Sequence, residues 1–121
     1  MDFVERTLFR ALIASALDAR EPGCWRPAVD VYREVDGWLC KFDLAGVRGE
    51  DVDVQAIGRR LRVTGVRRDR TLQAGREPYS MEISYHTFER SVELPCDLQD
   101  CRVECSFDAG MLLVTIQETR P

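Results

Sequence analysis

Two stretches decide how this chain folds: Tyr85-His86-Thr87-Phe88-Glu89-Arg90-Ser91-Val92-Glu93-Leu94-Pro95 and Cys105-Ser106-Phe107-Asp108-Ala109-Gly110-Met111-Leu112-Leu113-Val114-Thr115-Ile116. Both read as strand segments cut by turn residues, with Pro95 closing the first and Asp108-Ala109-Gly110 dividing the second. Neither holds a nucleophile–base pair, a metal cage or a phosphate cradle.

Outward from these stretches the period of 2 continues. Val29 and Val31 alternate with Asp30 and Tyr32, and Trp38, Cys40 and Phe42 with Leu39, Lys41 and Asp43. Val52, Val54 and Ala56 alternate with Asp51, Asp53 and Gln55. After a turn at Gly58-Arg59, Leu61, Val63 and Gly65 alternate with Arg60, Arg62 and Thr64. Each pattern is that of a half-buried strand. Further strands are expected at Tyr79–Ser84, Phe88–Leu94, Arg102–Phe107 and Leu112–Gln117. Short strands at close, turn-separated spacing predict an all-β, antiparallel sandwich. The polar stretch Val66 to Pro78 is too long for a hairpin turn and marks a functional excursion.

Residues 2–19 read differently. Asp2 and Glu5 form a capping box, and Val4, Leu8, Ala11, Leu12 and Ala16 recur at helical spacing. Phe3, Phe9, Ile13 and Leu17 widen the apolar side, and Glu21-Pro22-Gly23 ends the segment. So much apolar surface marks an interface with the chain's own domain, another subunit or a partner.

A chain of 121 residues suffices for one domain with short extensions. Its 45% hydrophobic and 31% charged content is that of a globular protein. A net charge of −4 argues against electrostatic nucleic-acid binding. The arginines at 59, 60, 62, 67, 68, 70 and 76 have no aromatic stacking platform among them, so they read as a solvated face. No apolar run approaches the roughly 20 residues of a membrane span. The start Met-Asp-Phe-Val-Glu lacks a basic signal region, and five cysteines is an odd number, so reduced thiols and a cytoplasmic location are expected.

His86 is the one histidine, with nothing nearby in sequence to orient it as a base. Cys96, Cys101 and Cys105 resemble a metal spacing, but Cys101 and Cys105, four apart on a strand, would lie about 13 Å from each other. That separation excludes both a shared zinc and a disulfide between them. No catalytic residue, metal or cofactor is expected, and a redox role for Cys24 or Cys96 stays open.

Trp25-Arg26-Pro27-Ala28-Val29-Asp30-Val31-Tyr32, Phe42-Asp43-Leu44-Ala45-Gly46-Val47, Leu61-Arg62-Val63-Thr64-Gly65, Met81-Glu82, the run Tyr85 to Pro95, and Cys105 to Leu112 together resemble the α-crystallin domain of small heat-shock proteins. The resemblance covers residues 25–118. It implies an immunoglobulin-like sandwich with a short N-terminal helix, acting as an ATP-independent holdase that binds unfolding client proteins and suppresses their aggregation.

The organisation it implies is an N-terminal amphipathic arm at 1–24, the domain at 25–118 and a residual tail at 119–121. Residues 67–83 resemble the long dimerisation loop of the bacterial and plant branch, whose short strand pairs with the partner's first strand. The implied homodimer interface is Val29, Val31, Tyr79, Met81, Glu82 and Arg90, with Glu82 and Arg90 as an ion pair. The implied client surfaces are a groove lined by Val52, Val54, Val103 and Cys105, and an N-terminal face of Phe3, Val4, Leu8 and Leu12. Val114 and Ile116 have the letters of the family's tail motif but lie inside a strand, so a dimer or small oligomer is expected. Other departures are Ala45 for proline, His86 for glycine, Cys105 for alanine and Ala109 for asparagine. The alternative is a non-chaperone interaction module or a regulatory subunit of longer small heat-shock proteins.

Overall fold

The computed structural model describes residues 24–119. The expected N-terminal helix, and with it Phe3, Val4, Leu8 and Leu12, lies outside the described residues. Within them run seven strands: β1 (Val29–Glu34), β2 (Gly37–Asp43), β3 (Val52–Ile57), β4 (Arg60–Val66), β5 (Thr87–Glu93), β6 (Cys101–Asp108) and β7 (Met111–Glu118). All neighbouring strands pair antiparallel, in one sheet of order β1-β2-β7-β6 and another of order β3-β4-β5.

The alternation read from the sequence becomes the sandwich core. Cys40, Phe42, Leu112, Val114 and Ile116 point inward from the first sheet, all at 0% exposure. Val54, Leu61, Val63 and Phe88 meet them from the second sheet. Each such side chain withdrawn from water contributes about 1.5–3 kcal/mol. Close packing also fixes a glycine: a Cβ at Gly65 would sit 2.1 Å from the Asp51 carbonyl oxygen and 2.7 Å from the Phe88 ring. Only hydrogen at Gly65 lets Phe88 lie directly across the ladder from it.

One expected strand does not form. Residues 79–84 contain no strand, and the chain from 67 to 86 has only turns and bends. A strand needs a partner edge, and among the described residues this segment pairs with none.

The β6–β7 hairpin has the two-residue loop Ala109-Gly110, with φ of 50° and 80°. Positive φ at both positions is the geometry of a primed turn that matches strand twist. Between β5 and β6 the chain crosses from one sheet to the other. A 3-10 turn at Leu98–Asp100 makes this crossing, capped by the Asp97 carboxylate, which accepts from the Gln99 N–H.

Candidate functional site

Four strands face three, so the larger sheet overhangs on both flanks. Its central strands β2 and β7 are fully covered, and its outer strands β1 and β6 only in part. On the β1 flank, Val31 pairs with Cys40 and shares its inward face, yet Val31 is 41% exposed against 0% for Cys40. Tyr32, on the opposite face, is 45% exposed. The outer edge of β1 pairs with no other strand among the described residues, so its backbone groups are available to another chain.

On the β6 flank, Val103 and Cys105 are half-buried inward-facing residues and Phe107 is 38% exposed. The other two residues expected to line this groove behave differently. Val52 and Val54 are sealed into the core at 2% and 1% exposure, because β3 points them inward beneath the sandwich. The open apolar surface here therefore comes from β6, with the backbone edge of β3 beside it. One end of that edge is covered by the sheet crossover: Gln99 Nε2 donates to the Ala56 carbonyl at 3.0 Å and the Leu98 N–H to the Gly58 carbonyl at 2.7 Å.

The excursion carries a further cluster of exposed apolar groups, apart from Val35 and Ile57 at strand ends. Tyr79 is fully exposed, and Leu72, Met81 and Ile83 are more than half exposed. With Pro78 and Tyr85 they line a shallow cleft of about 400 Å³. Its root is anchored by Arg67, whose Nε donates to the Ser84 carbonyl at 2.8 Å and whose N–H donates to the His86 carbonyl at 3.1 Å. The Arg67 guanidinium reaches the Ala45 carbonyl and stacks 3.7 Å over the Trp25 ring. Trp25 in turn meets Phe88 edge to face at 5.5 Å. Asp51, 13% exposed, holds Arg68 and Arg70 at 3.4 and 3.0 Å. Thr71 donates twice to the Asp69 carboxylate, and these bonds hold its pKa below the usual value.

The basic stretch thus divides among separate partners. Arg62 pairs with Glu89, Arg68 and Arg70 with Asp51, and Arg76 donates to the Thr71 carbonyl. Arg67 and Asp51 escaped the sequence reading because their partners lie 17 or more residues away in the chain. An arginine flanked by Tyr85 and Trp25 only in three dimensions leaves no local pattern.

Arg90 points inward from β5, across from Val63, and donates to the Pro27 carbonyl at 3.2 Å. Its Nε is buried and finds no acceptor among the described residues. Glu82 is exposed in the excursion, and among the described residues no ion pair joins it to Arg90 within one chain. A depression of about 360 Å³ lined by Arg26, Glu89, Arg90 and Ser91 opens beside that guanidinium.

The thiols are all free. Burial raises Cys40 to about 11 and Cys105 to about 12, so both are neutral packing groups at physiological pH. Among the described residues, no three His, Cys, Asp or Glu side chains are placed to hold a metal, and no helix is long and apolar enough to cross a membrane.

Comparison with known proteins gives a consistent result. The sequence model of the Hsp20/alpha crystallin family matches residues 30–121. Small heat shock protein C2 of Rickettsia felis is 24% identical over 90 residues, covering 74% of this chain and 58% of that protein. Spore protein SP21 of Stigmatella aurantiaca is 28% identical over 95 residues, covering 78% of this chain and 56% of that one. The chain thus spans little more than half the length of either relative. The solved structure of heat shock protein 16.0 from Schizosaccharomyces pombe superposes with a TM-score of 0.68 at 26% identity, covering 78% of this chain and 87% of that one.

Proposed function

Since this chain belongs to the Hsp20/alpha crystallin family, we propose that it is an ATP-independent holdase that binds unfolding proteins and keeps them from aggregating. The observation that carries the reading is the double overhang. Inward-facing apolar side chains of β1 and β6 are only partly covered on the two flanks of a core that is otherwise closed. Exposed contiguous apolar surface on a small domain is binding surface. Holding is a binding function, and no bond is made or broken in it.

The two flanks take different occupants. The β1 flank, with Val29, Val31 and Tyr32, is a dimerisation edge, and the excursion is the arm that reaches it. Tyr79–Glu82 of one subunit gains strand geometry by pairing with β1 of the other, which supplies the partner edge missing within one chain. The half-buried Arg90, whose Nε lacks an acceptor, then receives a carboxylate, and Glu82 of the second subunit is the acid carried on that arm. The β6 flank, with Val103, Cys105 and Phe107, is left for extended client segments beside the β3 edge.

The test is light scattering of a heat-labile client with the purified chain and no ATP. Suppression near equimolar chain is the expected result. A client that aggregates unchanged, while the chain remains folded and dimeric, rejects the holdase reading in favour of a module that docks folded partners.

A further inference from the structure

The crossover between the sheets holds two thiols side by side. Cys96 follows Leu94-Pro95 at the end of β5, and Cys101 is the first residue of β6. The 3-10 turn Leu98–Asp100 folds back between them. Their sulfurs are 4.0 Å apart, with Cys101 as the S–H donor and Cys96 as the acceptor, and Cys101 also lies 3.4 Å from the Asp97 carbonyl oxygen. Both are half-buried, within reach of a small oxidant. Of the other thiols, Cys24 lies against the Trp25 carbonyl, Cys40 is sealed at 0% exposure, and Cys105 lies four residues along β6, about 13 Å from Cys101.

We propose that Cys96 and Cys101 form a reversible disulfide when the protein meets hydrogen peroxide, and that this bridge locks the sheet crossover. The Cys96 sulfur, as thiolate, attacks one peroxide oxygen. The O–O bond breaks, water leaves after protonation, and Cys96 becomes a sulfenic acid. Cys101 then gives up its proton and attacks the Cys96 sulfur; the S–S bond forms, the S–O bond breaks and a second water leaves. Two thiols are oxidised by two electrons in all, and one peroxide is reduced to two waters. A dithiol reductant reverses the step by exchange.

Closing the bridge brings the sulfurs from 4.0 Å to the roughly 2.05 Å of a disulfide. Burial first, then the contact with Cys96 and the charges of Glu118 and Asp100, raise Cys101 to about 11. Its reactive thiolate is scarce at pH 7 and grows with pH, which favours the second attack. The ring so closed contains Leu98 and Gln99, whose hydrogen bonds to the Gly58 and Ala56 carbonyls tie it to the end of the β3–β4 hairpin. The bridge therefore pins the junction at which both sheets and the β3 edge meet. This inference is independent of the holdase reading, because its readout needs no client.

The test treats the reduced full chain with hydrogen peroxide, quenches in acid, alkylates and maps peptides by mass spectrometry. The expected product loses about 2 Da, the two hydrogens of a disulfide. Its peptides link Cys96 to Cys101, and Cys24, Cys40 and Cys105 are alkylated. Dithiothreitol restores the starting mass, and the bridged form melts several degrees higher, as loop closure predicts. In Cys101→Ser the loss of hydrogens disappears and oxygen accumulates on Cys96 instead. Bridges joining other cysteines, chains linked to one another as the main product, or over-oxidation of Cys96 in the wild-type chain without a bridge would overturn the site. A bridged form that melts no higher than the reduced one would overturn the lock. Mapping of the wild-type chain decides the pairing even if the variant does not fold.

Discussion

At the scale of single residues, Ala109 stands out. It adopts a left-handed φ of 50° beside Gly110 at 80°, in a turn whose geometry demands that hand at both positions. A Cβ in that region costs an L-residue roughly 1–2 kcal/mol, and asparagine tolerates it best among residues with side chains. We expect Ala109→Asn to stabilise the domain by about 0.5–1 kcal/mol, read as a higher urea midpoint with unchanged slope. An unchanged or lower midpoint would show that the hairpin carries no such strain. Gly110 has no equivalent freedom, because a Cβ there would lie 3.2 Å from the Ala45 backbone.

Among the elements, the excursion and its anchor matter most. Arg67 joins Ser84, His86, Ala45 and Trp25, so it sets where the arm leaves the sandwich. The arm pairs with no strand among the described residues, and removing it leaves all seven strands with their partners. Deleting residues 69–82 is expected to give a folded monomer. Light scattering should report the mass of one chain, with the circular dichroism of the strands retained. A dimer that persists in the deletion variant refutes arm exchange.

For the whole molecule, the mismatch of four strands against three is the organising fact. It creates two apolar flanks, and they can be separated by substitution. Val31→Glu on the β1 flank is expected to dissociate the dimer, and Val103→Glu on the β6 flank to leave the dimer intact while weakening client protection several-fold. Burying an unpaired carboxylate costs more than any exposed contact returns. Both are measured by combining solution mass with the client-aggregation assay. If each substitution abolished both properties alike, the flanks would not have distinct roles.

Strand identity was legible in the residues themselves. Alternation at Val52-Asp53-Val54 or Leu61-Arg62-Val63 is a local code, since a pleated strand puts successive side chains on opposite faces. The turn at Ala109-Gly110 and the long excursion were legible for the same local reason. What only the tertiary structure decided were the relations between distant segments. Sheet order made Val31 an exposed flank residue while sealing Val52 and Val54, although all three look alike as strand valines. It gave Arg67 its aromatic platform and set Cys96 beside Cys101 across a turn. The expected strand at Tyr79–Ser84 belongs to a third class: it is absent among the described residues, because a strand exists only where an edge meets it and an apolar pattern does not supply that edge. Local pattern determines which face of a segment is apolar; the number and order of neighbouring strands decide whether that face is covered.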